Sequence, residues 1–132
     1  PFLWVDRIIS FSDSCIDTEK YFSPDLDCFR GHYPGNPIMP GVLLCEAIFQ
    51  SGALLMSKRN PPVKQETSEI PILTRISSAK FKKPVLPGDT VQIKVTLNEI
   101  MSTAYFFQGT LKVGNKVAVL VEFVCAMAKT SS

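Results

Sequence analysis

The stretch Pro40-Gly41-Val42-Leu43-Leu44-Cys45-Glu46-Ala47-Ile48-Phe49-Gln50-Ser51-Gly52-Ala53-Leu54-Leu55-Met56-Ser57-Lys58 decides the fold. Its apolar residues fall on every side of a helix. Val42, Cys45, Phe49, Gly52 and Met56 form one stripe, Leu44, Ile48 and Leu55 a second, and Leu43, Ala47 and Leu54 a third. A helix that is apolar all round is a buried helix, so the remainder of the chain must wrap it. Pro40 suits the first turn, where its missing N–H would have had no partner. The apolar run from Val42 to Met56 is shorter than the ~20 residues of a membrane span, and it contains Glu46 and Gln50.

Strand patterns lie on both sides of this helix. Trp4 to Ser10 and Cys15 to Phe22 read as strands joined by Ser12-Asp13-Ser14. Pro24 to Pro40, with four prolines and two glycines, reads as a loop. Lys58 to Pro71, polar and with three prolines, reads as another. Ile72 to Lys82 is a strand candidate, and Leu86-Pro87-Gly88-Asp89 has the residues of a type II turn. Thr90 to Asn98 alternates, with Val91, Ile93, Val95 and Leu97 on one face, as a half-buried antiparallel strand does. Tyr105 to Val113 and Lys116 to Met127 complete the set, joined through Gly114-Asn115, a two-residue hairpin signal. The expectation is a single α+β domain over residues 1–132, with an antiparallel sheet of about five or six strands wrapped around one long helix.

Composition narrows the classes. The chain has 132 residues, is 45% hydrophobic and 20% charged, and carries a net charge of +2. That is enough chain to bury its own core. The balance gives no support for nucleic-acid binding. Four cysteines without a C-x-x-C pair and a single histidine disfavour a metal site. Cys45 and Cys125 read as small buried hydrophobes, and a reducing, cytoplasmic setting is the simplest expectation. The sequence begins at Pro1, which leaves room for an upstream transit peptide and an organellar location.

The histidine, His32, lies in Gly31-His32-Tyr33-Pro34-Gly35-Asn36-Pro37-Ile38-Met39-Pro40-Gly41, fourteen residues before Glu46. Prolines and glycines restrict and shape such a loop, which would hold the imidazole in place. Gly41 opens the helix, where backbone N–H groups are unpaired and a developing oxyanion is welcome. Glu46 stands among apolar neighbours, which makes it costly to ionise and favours the acid form, and Gln50 follows four residues later on the same face. A neutral histidine base and a carboxylic acid suit removal of a proton at one carbon and its delivery to a leaving hydroxyl. An oxyanion site would acidify a C–H beside a carbonyl. Together they describe dehydration of a 3-hydroxy thioester, or its reverse. A lone loop histidine, or one glutamate in an apolar helix, is more often structural, so neither decides alone.

The run from Gly31 to Leu43, followed by Glu46-Ala47 and Gln50, resembles the signature of the (3R)-3-hydroxyacyl-[acyl carrier protein] dehydratases of dissociated fatty acid synthesis. Pro1-Phe2-Leu3-Trp4-Val5-Asp6-Arg7, Ala79-Lys80-Phe81-Lys82-Lys83-Pro84-Val85 with Pro87-Gly88-Asp89, and the stretch Glu122 to Ala126 are similar to further segments of that family, in the same order. The resemblance implies a hotdog fold and a working homodimer, which in that family is often assembled further into a hexamer as a trimer of dimers; the choice between dimer and hexamer stays open. It implies a site shared between subunits and no cofactor, the substrate being carried on the phosphopantetheine arm of acyl carrier protein. Carried over, His32 is the base and the partner's Glu46 the acid. Gly41 and Val42 N–H groups bind the thioester oxygen, the Ile38 carbonyl orients the imidazole, and Gln50 sits beside the acid. Glu46, rather than Asp, places the chain with the plain dehydratases.

Phe49 and Ser51 stand where that family usually has alanine, which makes Phe49 a candidate to narrow the acyl tunnel. Arg75 and Ser77 also depart from the pattern. An acidic carrier protein calls for a basic landing site, for which Arg30, Lys80, Lys82 and Lys83 are candidates. Two alternatives remain at this stage: a hotdog hydratase or thioesterase acting on coenzyme A esters, and a non-catalytic acyl-binding module.

Overall fold

A computed structural model describes residues 4–26, 38–59 and 69–129. Six strands and one helix follow in the order β1 (Arg7–Phe11), β2 (Cys15–Tyr21), α1 (Gly41–Arg59), β3 (Glu69–Phe81), β4 (Thr90–Met101), β5 (Ala104–Val113) and β6 (Lys116–Lys129). The strands form one sheet in the order β1-β2-β4-β5-β6-β3, with every neighbouring pair antiparallel. The sheet curves over α1, which packs against β2 through β6. This is the α+β hotdog arrangement expected from the sequence.

The curvature has local causes. Register shifts interrupt β1, β3 (twice), β4 at Leu97/Glu99 and the β5–β6 pairing. Each extra residue bends its strand and tightens the twist, which lets a sheet coil around a helix. The alternation read in β4 holds, with Val91, Ile93, Val95 and Leu97 all buried. At the Pro87-Gly88 turn, Gly88 has φ 90° and the Asp89 N–H donates to the Leu86 carbonyl at 3.1 Å, as a type II turn requires. Gly114 opens the β5–β6 hairpin with φ 61°.

Close approach of helix to sheet depends on two glycines. A Cβ at Gly109 on β5 would lie 2.2 Å from the Ile48 Cγ2, and one at Gly52 would lie 3.1 Å from the Phe123 ring. Phe123 stacks on Phe107 at 5.2 Å, and Phe49 meets Phe123 edge-on at 4.9 Å. Ser51, buried where an alanine was expected, bonds the Ala47 carbonyl at 2.9 Å and the Thr18 hydroxyl at 2.8 Å, so its polarity is satisfied. Burial pushes the Cys125 thiol up to about 11 and raises that of Cys45, which keeps both neutral as packing groups.

Three sequence expectations need correction. The first strand begins at Arg7 rather than Trp4, because the Trp4 N–H is turned to the Gln50 side chain and not to a neighbouring strand. The β3 strand begins at Glu69, with Pro71 inside it opposite Met127. An edge strand tolerates a proline whose missing N–H faces no partner. The helix is not buried all round: one sheet covers one side only. Leu44, Ala47, Ser51 and Leu55 lie on the covered side, whereas Val42 is 76% exposed and Glu46, Gln50 and Ala53 are half-buried. Glu46 sits in the middle of the uncovered side.

Candidate active site

Glu46 is positioned by α1 and held by a side chain one turn on. The Gln50 Nε2 donates to the Glu46 Oε2 at 3.0 Å. The Trp4 main-chain N–H donates to the Gln50 Oε1 at 2.8 Å. The chain leading into β1 therefore reaches across to the helix and orders the group beside the carboxylate. The sequence placed Gln50 next to Glu46, but Trp4 acts through its backbone, and no residue pattern announces a backbone donor.

The helix start lies beside a depression of about 500 Å³ lined by Ile38, Met39, Gly41, Leu44 and the segment from Phe81 to Pro84. Two main-chain links join its walls. The Pro40 carbonyl accepts from Leu43 and Leu44, closing the first helical turn, and the Met39 N–H donates to the Val85 carbonyl at 2.7 Å. The N–H groups of Gly41 and Val42 belong to the first turn, where no helical acceptor exists for them. Gly41 lets the Phe81 ring approach the helix start closely: a Cβ there would lie 2.8 Å from the ring. Phe81, half exposed at the end of β3, is a wall of this depression that sequence reasoning had not singled out. The missing Cβ at Gly41 was the available signal, since glycine marks sites of close approach.

The structure thus brings Gly41, Ile38, Lys82 and Lys83 to one depression. Val42 adjoins it on the helix, with its side chain exposed. Lys80 is elsewhere. It lines a second, smaller depression of about 200 Å³ with Ser78, Gln108 and Glu122, on the sheet face away from the helix. Strand alternation explains the separation, since Lys80 and Phe81 point to opposite faces. Of the described basic candidates, Lys82 and Lys83 line one depression and Lys80 lines the other. Phe49 lines neither depression, its ring being packed against Phe123. His32 and Arg30 lie outside the described residues. Among the described residues, no group of three or more His, Cys, Asp or Glu side chains is placed to hold a metal ion. Among the described residues, no helix is long and apolar enough to cross a membrane.

The chain is similar to known proteins in sequence and in fold. A family model described as the FabA-like domain matches residues 1–122. The 3-hydroxyacyl-[acyl-carrier-protein] dehydratase FabZ of Caulobacter sp. (strain K31) is 38% identical over 137 residues, covering 98% of this chain and 79% of that protein. The enzyme of the same name from Verminephrobacter eiseniae is 36% identical over 128 residues, covering 96% of this chain and 85% of that protein. Among solved structures, the dehydratase heterocomplex ApeI:P from Xenorhabdus doucetiae has a similar fold, with a TM-score of 0.65 at 22% identity, over 92% of this chain and 96% of that one. The chain belongs to the FabA-like family, in the branch of the FabZ dehydratases.

Proposed function

We propose that the chain converts (3R)-3-hydroxyacyl-[acyl carrier protein] to the trans-2-enoyl thioester and water, with His32 as base and Glu46 of a second protomer as acid. The observation that carries this reading is the place of Glu46: a half-buried carboxylate, held by Gln50, in the middle of the helix side that the sheet leaves uncovered. His32 takes the proton from C2 of the acyl chain. The electron pair moves toward the thioester carbonyl, whose oxygen is stabilised by the Gly41 N–H, with that of Val42 beside it. As the C2–C3 double bond forms, the C3–O bond breaks and Glu46 supplies the proton that makes the hydroxyl leave as water. The proton gained by His32 and the one lost by Glu46 balance, and solvent returns both groups to their starting states. The Ile38 carbonyl orients the imidazole in this scheme.

Apolar exposure supports the second protomer. β3 is an edge strand of 13 residues, and Leu73, Ile76 and Phe81 on its helix side are each well exposed. Val42 is exposed on the helix beside Glu46. A second copy pairing along β3 would cover these groups and satisfy the free edge, which otherwise invites aggregation. Carrier protein, being acidic, would approach the lip formed by Lys82 and Lys83, and its pantetheine arm needs no cofactor beside it.

Turnover of hydroxybutyryl-carrier protein against hydroxybutyryl-coenzyme A tests the reaction and the carrier together. Dehydration of the carrier-protein thioester with the higher kcat/KM is expected; hydrolysis of either thioester, or no turnover, would contradict the reading. A Gly41→Ala variant should keep its stability within about 1 kcal/mol, because alanine favours the helix and the exposed Phe81 ring is free to give way. Its dehydration rate should fall at least about tenfold, since the methyl group drives that ring into the depression at the oxyanion site. Thermal melts and steady-state rates on the same sample check both halves.

A further inference from the structure

We propose that the main-chain N–H of Trp4 locks the Gln50 amide as a donor to Glu46 Oε2, so that the proton of the acid form resides on Oε1 and is delivered from there. This rests on the reading of Glu46 as the acid. A side-chain amide presents oxygen and nitrogen in nearly equivalent positions, and only its partners decide which is which. In an isolated helix, Gln50 and Glu46 one turn apart have two arrangements. In one, Nε2 donates to the carboxylate. In the other, the amide is flipped and its oxygen accepts a proton from the protonated acid. The second arrangement would hold the acid's proton on the oxygen turned toward Gln50 and away from any substrate.

The Trp4 N–H removes that choice. It has no lone pair and tolerates only an acceptor, so it selects Oε1 of Gln50 at 2.8 Å and turns Nε2 to Glu46. The donor is itself fixed from outside the helix. The Asp6 N–H bonds the Glu19 carbonyl at 2.8 Å, and the Asp6 carboxylate accepts from the Tyr21 N–H at 2.7 Å and pairs with Lys20 at 3.1 Å. Lys20 also lies over the Trp4 ring, which packs against Phe22 at 6.0 Å. The segment leading into β1 thus sets the protonation geometry of a helix residue.

The consequence is chemical. With Oε2 accepting from Nε2, the proton of the neutral acid has Oε1 as its site. As that proton leaves, charge develops on the carboxylate and the bond from Nε2 becomes charge-assisted and stronger. Gln50 is a positioning residue: it makes Glu46 a readier donor without touching substrate. Among the described residues, the other titratable groups facing the helix are Lys20 from β2 (already paired with Asp6), Tyr105 from β5, Cys125 from β6 and Cys45 on α1 itself; the helix-facing residues of β3 and β4 are apolar.

The test is the rate of dehydration by the full chain, for two variants and two substrates. Gln50→Leu removes the donor. An ester bond at position 4, made by placing the α-hydroxy analogue of tryptophan there, removes only the N–H and keeps the indole. Each variant should lower kcat for a 3-hydroxyacyl thioester about tenfold with KM nearly unchanged, the size expected for one hydrogen bond to a charged group. Each should spare a thioester bearing chloride at C3, whose leaving group needs no proton. An unchanged kcat on the hydroxy substrate in either variant, or an equal loss on the chloride substrate, with the circular dichroism spectrum native, overturns the proposal. Glu46→Gln separates the two ideas. If that variant is inactive on the hydroxy substrate while the other two keep their kcat, only the Trp4–Gln50 lock fails. If it remains active, the assignment of the acid fails first.

Discussion

Glu46→Gln is expected to lower dehydration of a 3-hydroxyacyl thioester by about 10²- to 10⁴-fold, the usual contribution of a positioned acid. The two side chains have the same shape, and an amide at position 46 still offers Gln50 an acceptor at the 3.0 Å contact. The fold should therefore stand and the melting temperature move little. In the proposed reaction, what is lost is the proton for the leaving hydroxyl. A thioester bearing chloride at C3 sharpens the expectation, since chloride departs without protonation. That substrate should be spared by Glu46→Gln, whereas His32→Ala should lose both reactions because each begins at C2–H. Equal losses on both substrates in Glu46→Gln would contradict the role given to the carboxylate.

Gly109→Ala should be the most damaging small substitution among the described residues. The added methyl group would meet the Ile48 Cγ2 at 2.2 Å, and Ile48 is fully buried under the sheet. Cγ2 is attached at the branch point of that side chain and has no flexible stem on which to retreat. Either the helix moves off β5 or the sheet opens, and overpacking of this kind costs about 3 kcal/mol. Truncating the partner should restore room. The double variant Gly109→Ala/Ile48→Ala should be less destabilised than the sum of its single changes, by about 1 kcal/mol or more. Urea denaturation of the four proteins measures this cycle, and strict additivity would show that Gly109 is not where helix and sheet meet.

Much of the fold was legible because its elements rest on local patterns. The strict alternation from Val91 to Leu97 and the two glycine turns appear in the structure where their residues put them. The second hairpin was not legible. β4 runs on to Met101 and turns through Ser102 and Thr103 into Ala104, with Ser102 at φ 57°. A serine in the left-handed region is uncommon, and the residues there carry no Asn-Gly or Asp-Gly signal. The extra length of β3 was hidden by Pro71, which reads as a strand breaker until the strand is known to lie at an edge.

The site divides in the same way. Glu46, Gln50 and Gly41 stand on one helix, so their mutual spacing follows from the helical period. Contacts made across the fold did not follow from any spacing. The Trp4 N–H on Gln50 spans 46 positions, and the Phe81 ring over Gly41 joins two elements. The basic candidates show the limit of linear reading from the other side. Lys80 and Lys82 are two positions apart, yet they line different depressions, because β3 ends at Phe81 and its alternation stops there.

The central claim is that one protomer's His32 and its partner's Glu46 form one site. A purified heterodimer of one His32→Ala chain and one Glu46→Gln chain, separated by two affinity tags after co-expression, measures it most directly. A site built across the interface leaves one intact His32–Glu46 pair in each heterodimer, so dehydration should return to about half the wild-type rate while each parent homodimer stays nearly inactive. A heterodimer as inactive as its parents would contradict the account and place both residues of each pair within a single chain.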